Sequence, residues 1–418
     1  MVPDLFPFPG LRYQLAALDA DLGAVTAPPY DVIDDEARAR LEASHPQNAV
    51  NLILPRDAEP GDRYQRAHAA FEDWRARGIL APDTPRLYVY RMNFTDESGA
   101  PRRMTGVVGA LELSPPEEGA VLPHERTLRK AKSDRLELLR AVRANLDPVW
   151  GLSLTSGLSE LFEPVVAAGR PSACVDDDGV EHCLYPVEGE LVERIRAAIA
   201  AQPLVIADGH HRYETALAYR DERREAGIDD PGADRIMTLV VELTEDQLVV
   251  RPIHRLLYGA RGAFIGMLNH VAEVAPLGPN NAENIRRLVS EMDRTGSMGL
   301  VVGPGLALLT PRVDVLRRGL EELPEPLRDV DAARFELMLD RLAMLRIPED
   351  VMIDFRHDAM TVGEMVGKGI VEAAVLLRPV SVQQIDTVAE AGLRMPQKTT
   401  FFQPKPLTGL VFRSLDLG

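Results

Sequence analysis

Cysteine is nearly absent. Only Cys174 and Cys183 occur in 418 residues. They could face each other across a hairpin, but two cysteines are no disulfide framework, and the expectation is two reduced thiols. Long apolar runs are missing too, since none approaches the ~18 residues a membrane helix needs. The opening Met1-Val2-Pro3-Asp4-Leu5-Phe6-Pro7 has neither the basic nor the apolar region of a signal peptide. The expected location is therefore cytoplasmic. Positive charge is in deficit: 47 Lys+Arg against 64 Asp+Glu give a formal net charge of −17. That argues against nucleic acid or an anionic membrane as partner, while leaving room for a local basic pocket. There is no Walker phosphate loop, no Gly-x-Gly-x-x-Gly and no nucleophile elbow, and Gly303-Pro304-Gly305 is only a turn. P-loop and Rossmann enzymes are disfavoured on that ground.

What is present is an ordinary globular composition, 45% hydrophobic and 27% charged, long enough for roughly two or three domains. Ala24–Ile33 reads as an extended piece stopped by Pro28 and Pro29. Asp34 can cap a helix over Asp35–Ala43. Asn48–Leu54 reads as a strand. Asp62–Gly78 is helical by the spacing of Tyr64, Ala67, Phe71 and Trp74. Strands are expected over Arg86–Phe94, Arg103–Leu113, Pro148–Thr155 and Arg235–Leu243, and a hairpin around Asp176-Asp177-Asp178-Gly179. Glu188–Gln202 is an amphipathic helix. Beyond about Tyr258 the pattern predicts helices at Phe264–Val274, Ala282–Arg294, Thr361–Gly367 and Ser381–Gly392. Strands are predicted at Met298–Val302, Leu306–Thr310, Met352–Arg356 and Val371–Leu377. This mixture is α+β, or mixed α/β.

Four stretches carry chemistry. The first is Leu204–Ala207 running into Asp208-Gly209-His210-His211-Arg212-Tyr213-Glu214, which reads as strand, tight turn and helix. Gly209 allows close backbone approach. The helix N-terminus and Arg212 suit phosphate, and His210 and His211 can donate or shuttle protons. The bland alternative is a helix capped by Asp208 with surface histidines. A metal site from His210, His211 and Glu214 competes at i, i+3 and i, i+4 spacing. The second stretch holds His124, Glu125, Arg126 and Thr127, then Lys130, Lys132, Asp134 and Arg135. Glu125 could act as base and the cations could neutralise polyphosphate, or the segment is a solvated first turn. The third, Ala27-Pro28-Pro29-Tyr30-Asp31, either presents Tyr30 and Asp31 to a site or packs Tyr30. The fourth, Met395 through Gly409, looks like an ordered arm returning to the body. Its Lys398, Thr399 and Thr400 could meet phosphate, or its aromatics merely dock it.

Taken in order, these four stretches resemble the bacterial and archaeal proteins catalogued as domain of unknown function 1015, over nearly the whole chain. More distantly, Asp208-Gly209-His210-x-Arg212 is similar to a motif of the ADP- or ATP-dependent free-serine kinases of the ParB/sulfiredoxin superfamily. That resemblance implies a ParB/sulfiredoxin-like core holding nucleotide phosphates at Asp208, Gly209, His210 and Arg212, with His211 at the variable position. The kinases' basic glutamate has no motif match here, and Glu125 is the candidate drawn from this sequence.

The expected organisation is a nucleotide-binding and catalytic region over 1–258, a second α/β domain over 259–394 and an arm over 395–418. The expected activity is phosphoryl transfer from ATP or ADP to a small hydroxylated substrate such as serine. Mg²⁺ would bridge the phosphates, with Asp208 as its ligand. A non-catalytic nucleotide-binding regulator and a metal-dependent hydrolase stand as alternatives. A homodimer is compatible with the sequence.

Overall fold

In the computed structural model the described residues are 2–96, 99–123, 132–260, 262–344 and 351–417, with the side chains of residues 132, 133, 263 and 264 left aside. The fold is mixed α/β and divides into two units. One takes the chain up to Pro123, the following part through Val249, and the chain again from Pro404. The other is Val250–Gln403.

The first unit is built on a nine-stranded sheet. Its strands are β1 (Leu5–Phe6), β2 (Leu87–Thr95), β3 (Pro101–Glu112), β4 (Val121–Pro123), β5 (Val149–Ser153), β6 (Ser172–Val175), β7 (Glu181–Val187), β8 (Leu204–Asp208) and β9 (Arg235–Glu242). Their order is β4-β8-β5-β9-β3-β2-β7-β6, with β1 added along β3. β8 runs parallel to β4 and antiparallel to β5. The end of β4, the start of β5 and the end of β8 therefore share one end of the sheet. The β2–β3 and β6–β7 hairpins form where alternating apolar residues flank polar turns. Cys174 pairs in register with His182, and Cys183 with Ala173, so the two thiols point to opposite faces and are free.

The helices of this unit are α1 (Arg63–Ala76), α2 (Lys132–Val142), α3 (Glu190–Ile199) and α4 (His210–Glu225). Ile195 and Ile199 of α3 and Tyr213 and Ala216 of α4 bury against Leu87, Val89, Val107, Val149, Leu204 and Ile206 on one sheet face. Each such fully buried aliphatic or aromatic side chain contributes roughly 1.5–3 kcal/mol. Ala67, Phe71 and Trp74 form the buried face of α1, at the spacing expected, and Phe71 meets Phe412 edge-on. Asp34 caps its helix as expected, accepting from the Ala37 N–H.

Two early expectations fail. Asn48–Leu54 is not a strand, because Val50–Ile53 forms a helical turn. Asn48 is wholly buried and donates to the carbonyls of Ala24 and Thr26, while its oxygen accepts from Val50 N–H. This local bond starts a turn where the apolar run suggested a strand. Ala24–Ile33 is extended only in its middle, since Leu22–Val25 is a helical turn and Tyr30–Val32 a 3₁₀ turn.

The second unit is a six-stranded antiparallel sheet with helices. Its core joins Leu256, Val301, Ala374 and Leu376 of the strands to Ile285, Leu288, Met292, Val362 and Val366 of the helices. The helix expected over Phe264–Val274 stops at Val271, and an unanticipated edge strand, Ala272–Pro279, follows. It tolerates Pro276 because an edge strand need not donate every N–H. The helices Val313–Glu322 and Asp331–Ala343 were also not anticipated. Among the described residues no helix is long and apolar enough to cross a membrane.

Candidate functional site

The site lies in the first unit, at the sheet end shared by β4, β5 and β8. The pairing of β8 with β5 slips between Ile206 and Asp208: Ile206 faces Gly151, yet Asp208 faces Trp150. Ala207 is the extra residue. Such a bulge bends the strand and re-aims the next side chain, here Asp208. Gly209 follows with φ +84 and caps α4. A Cβ there would lie 2.9 Å from Arg212 Nε, so the backbone favours glycine and any side chain would also push the guanidinium aside.

Asp208 holds two cations. Arg212 Nη2 donates to its Oδ2 at 2.8 Å, and Lys405 Nζ to its Oδ1 at 2.5 Å. Burial alone would raise this carboxyl, but Lys405 and Arg212 outweigh it and hold it far below the usual range, with His210 adding in the same direction. Arg212 also donates to the Pro148 carbonyl. Burial opposes its charge, yet Asp208, Asp147 and Asp31 raise its pKa overall.

Asp147 stands two residues ahead of β5, before Pro148. It is buried and accepts a hydrogen bond from the Thr408 hydroxyl. Burial pushes its carboxyl up to about 6, with Arg212 and Arg135 opposing and Asp31 and Asp208 adding to the rise. Tyr30 lies under Arg135, whose guanidinium is 4.2 Å from the ring centre. Burial raises the Tyr30 phenol, partly offset by Arg212. Arg135 is itself buried, donating to the Ile53 carbonyl at 2.8 Å and to Asp134 at 2.8 Å. Asp134 in turn accepts from Tyr64 at 2.7 Å and Arg63 at 3.0 Å.

All four sequence stretches thus contribute to one cluster: Tyr30 and Asp31, Asp134 and Arg135, Asp208 and Arg212, and Lys405 and Thr408. His210 and His211 occupy the first turn of α4, half-buried, with Glu214 one turn on. His124, Glu125, Arg126, Thr127 and Lys130 lie outside the described residues. Lys132 is described only as the first residue of α2. The flanks of that segment can be placed: Pro123 pairs with Ile206 on β8, and Arg135 packs on Tyr30.

Lys398 belongs to the second unit. It has left-handed backbone (φ 55), and its carbonyl accepts from Arg255. The arm lysine on Asp208 is Lys405, which the sequence reading passed over. Its flanking Pro404 and Pro406, which stiffen the chain, were the available signal. Asp147 and Thr408 were passed over as well. Each oxygen of Asp208 accepts from one cation, and a carboxylate has about four lone-pair sites, so a metal ion there would share Asp208 with Lys405 and Arg212. Among the described residues no group of three or more His, Cys, Asp or Glu converges as a metal-holding cluster.

A family model described as "Protein of unknown function (DUF1015)" matches residues 5–333. No curated protein matches the chain. Among solved structures, a free serine kinase variant in complex with AMP is 13% identical, covering 75% of this chain and 93% of its own, with a TM-score of 0.40. A conserved hypothetical protein from Pyrococcus furiosus is 14% identical, covering 75% of this chain and 97% of its own, with a TM-score of 0.39. A further free serine kinase variant, in complex with ADP, is 13% identical over 75% and 94% of the two chains, with a TM-score of 0.39.

Proposed function

The chain belongs to the DUF1015 family, whose description names no activity, and from the site's geometry we propose a nucleotide-dependent phosphotransferase acting on a small hydroxylated substrate. One observation carries the reading: Arg212 and Lys405, from separate segments of the unit, are gathered on a single carboxylate beside the N-terminus of α4.

A phosphate at that helix end meets backbone N–H groups and the positive end of the dipole. Arg212 has five N–H groups in a planar fork, and among the described residues it spends two, on Asp208 and Pro148. The rest suit phosphate oxygens. Asp208 is the organiser that fixes both cations before the ligand arrives, so little reorganisation remains when charge develops on the transferred group. Lys405 supplies the second positive charge and Arg135 a third. His210, in the first turn of α4, steadies the transferred group. The substrate hydroxyl needs a base, and Glu125 is the proposed one. Mg²⁺ would be held at Asp208 and would supply further charge neutralisation to the phosphates. Serine is the substrate suggested by the Asp208-Gly209-His210-x-Arg212 resemblance, ATP or ADP the donor, and the cytoplasm the proposed location.

The test is calorimetric titration of ATP and ADP with Mg²⁺, followed by a labelled-phosphate transfer assay over free hydroxylated amino acids. Glu125→Gln is expected to bind nucleotide like the parent and to lose turnover. Binding with no transfer to any acceptor would favour a sensing role over an enzyme.

A further inference from the structure

Opposite the face covered by α3 and α4, a buried polar chain crosses from the β6–β7 hairpin to the C-terminal arm. Tyr90 on β2 and His182 on β7 are 2% and 0% exposed. Tyr90 Oη lies 2.7 Å from His182 Nδ1, and His182 Nε2 lies 3.0 Å from Asp176 Oδ2. Tyr90 Oη also accepts the Leu407 backbone N–H at 3.0 Å. The second oxygen of Asp176 is occupied by the turn, accepting from Asp178 and Val180 N–H.

Valence dictates the proton positions. Burial raises the Asp176 carboxyl, but the bonds from His182 and the backbone prevail and hold it below its ordinary value. It is ionised and can only accept, so His182 Nε2 carries a hydrogen. With one N–H, the imidazole leaves Nδ1 as an acceptor. Burial drives the Tyr90 phenol well above its ordinary pKa, so Tyr90 keeps its proton and donates it to Nδ1. Its lone pairs then face Leu407. This arrangement satisfies each of these polar atoms.

We propose that Asp176, His182 and Tyr90 form a tautomer-locked relay that positions the C-terminal arm, and with it Lys405 and Thr408, at the site. Leu407 stands two residues after Lys405 and directly before Thr408. Pro404 and Pro406 stiffen the segment, so displacement at Leu407 reaches Lys405 on Asp208 and Thr408 on Asp147. His182 and Tyr90 are positioning residues; neither belongs to the cluster around Asp208. The consequence for ligand binding rests on the proposed function, whereas the relay itself rests on these bonds alone.

Hydrogen–deuterium exchange of the full chain separates the two. Tyr90→Phe removes the acceptor and keeps the ring. Asp176→Asn keeps the oxygen that caps the turn but offers His182 a donor. The imidazole then moves its hydrogen to Nδ1, and Tyr90 faces two donors. Both variants are expected to speed amide exchange over residues 405–409 by about tenfold, with β8 unchanged. The double variant is expected to exchange no faster than Tyr90→Phe, because the relay is already cut. Affinity for ATP with Mg²⁺ is expected to fall about tenfold in each. Arm exchange like the parent's in both single variants, or additive effects in the double, overturns the relay. A parent protein that binds no nucleotide overturns the proposed function, and the exchange result still decides the relay.

Discussion

Lys405 and Asp208 stand 197 positions apart in the chain and 2.5 Å apart in the fold. The side chains are only 10% and 18% exposed, so the pair is largely shielded from screening by solvent. Removing Lys405 leaves Arg212 as the remaining cation on Asp208 and one carboxylate oxygen without its donor. Lys405→Met should therefore cost about 2 kcal/mol of stability and weaken nucleotide binding. Chemical denaturation beside calorimetry checks both. Unchanged stability would make the pair incidental.

Gly209→Ala tests the turn. Its φ of +84 disfavours any side chain, and the new methyl would press on Arg212. A stability loss of roughly 1–3 kcal/mol is expected, with nucleotide affinity falling further than Lys405→Met makes it fall. Parent-like affinity in Gly209→Ala would show that Arg212 does not need its present placement.

Asp147 gives the protein a pH signature. Its folded pKa, about 6, is raised above the unfolded value near 4. The folded state binds that proton more tightly, so the associated stability is full below about pH 4 and is lost as pH rises through about 6. The swing is up to about 3 kcal/mol. Asp147→Asn keeps an oxygen for Thr408 and cannot ionise. Its stability curve should be flatter than the parent's between pH 4 and 7, and the variant should gain on the parent as pH rises. Parallel curves in thermal melts across that range would contradict the assignment.

The sequence was legible where structure is local. Asp34 caps its helix, Ala67, Phe71 and Trp74 share a face, and Leu204–Asp208 turns through Gly209 into a helix because neighbouring residues settle each outcome. It misled where a distant partner decides. Asn48 makes a turn because carbonyls at positions 24 and 26 take its amide. Lysine in the arm was expected at the site, but the fold carries Lys405, held between Pro404 and Pro406, to Asp208 and leaves Lys398 in the second unit. Asp147 carries no local signal, because the partner that engages it, Thr408, lies 261 positions away. The strand Ala272–Pro279 hid behind its prolines, which an edge position allows.

If Arg212, fixed by Asp208, binds nucleotide phosphate, its removal must remove affinity, and calorimetric titration of ATP with Mg²⁺ into the parent protein and Arg212→Ala measures this. One nucleotide per chain in the parent, and a loss of about a hundredfold or more in Arg212→Ala, is the predicted result. An Arg212→Ala protein that folds and binds ATP as tightly as the parent would contradict it.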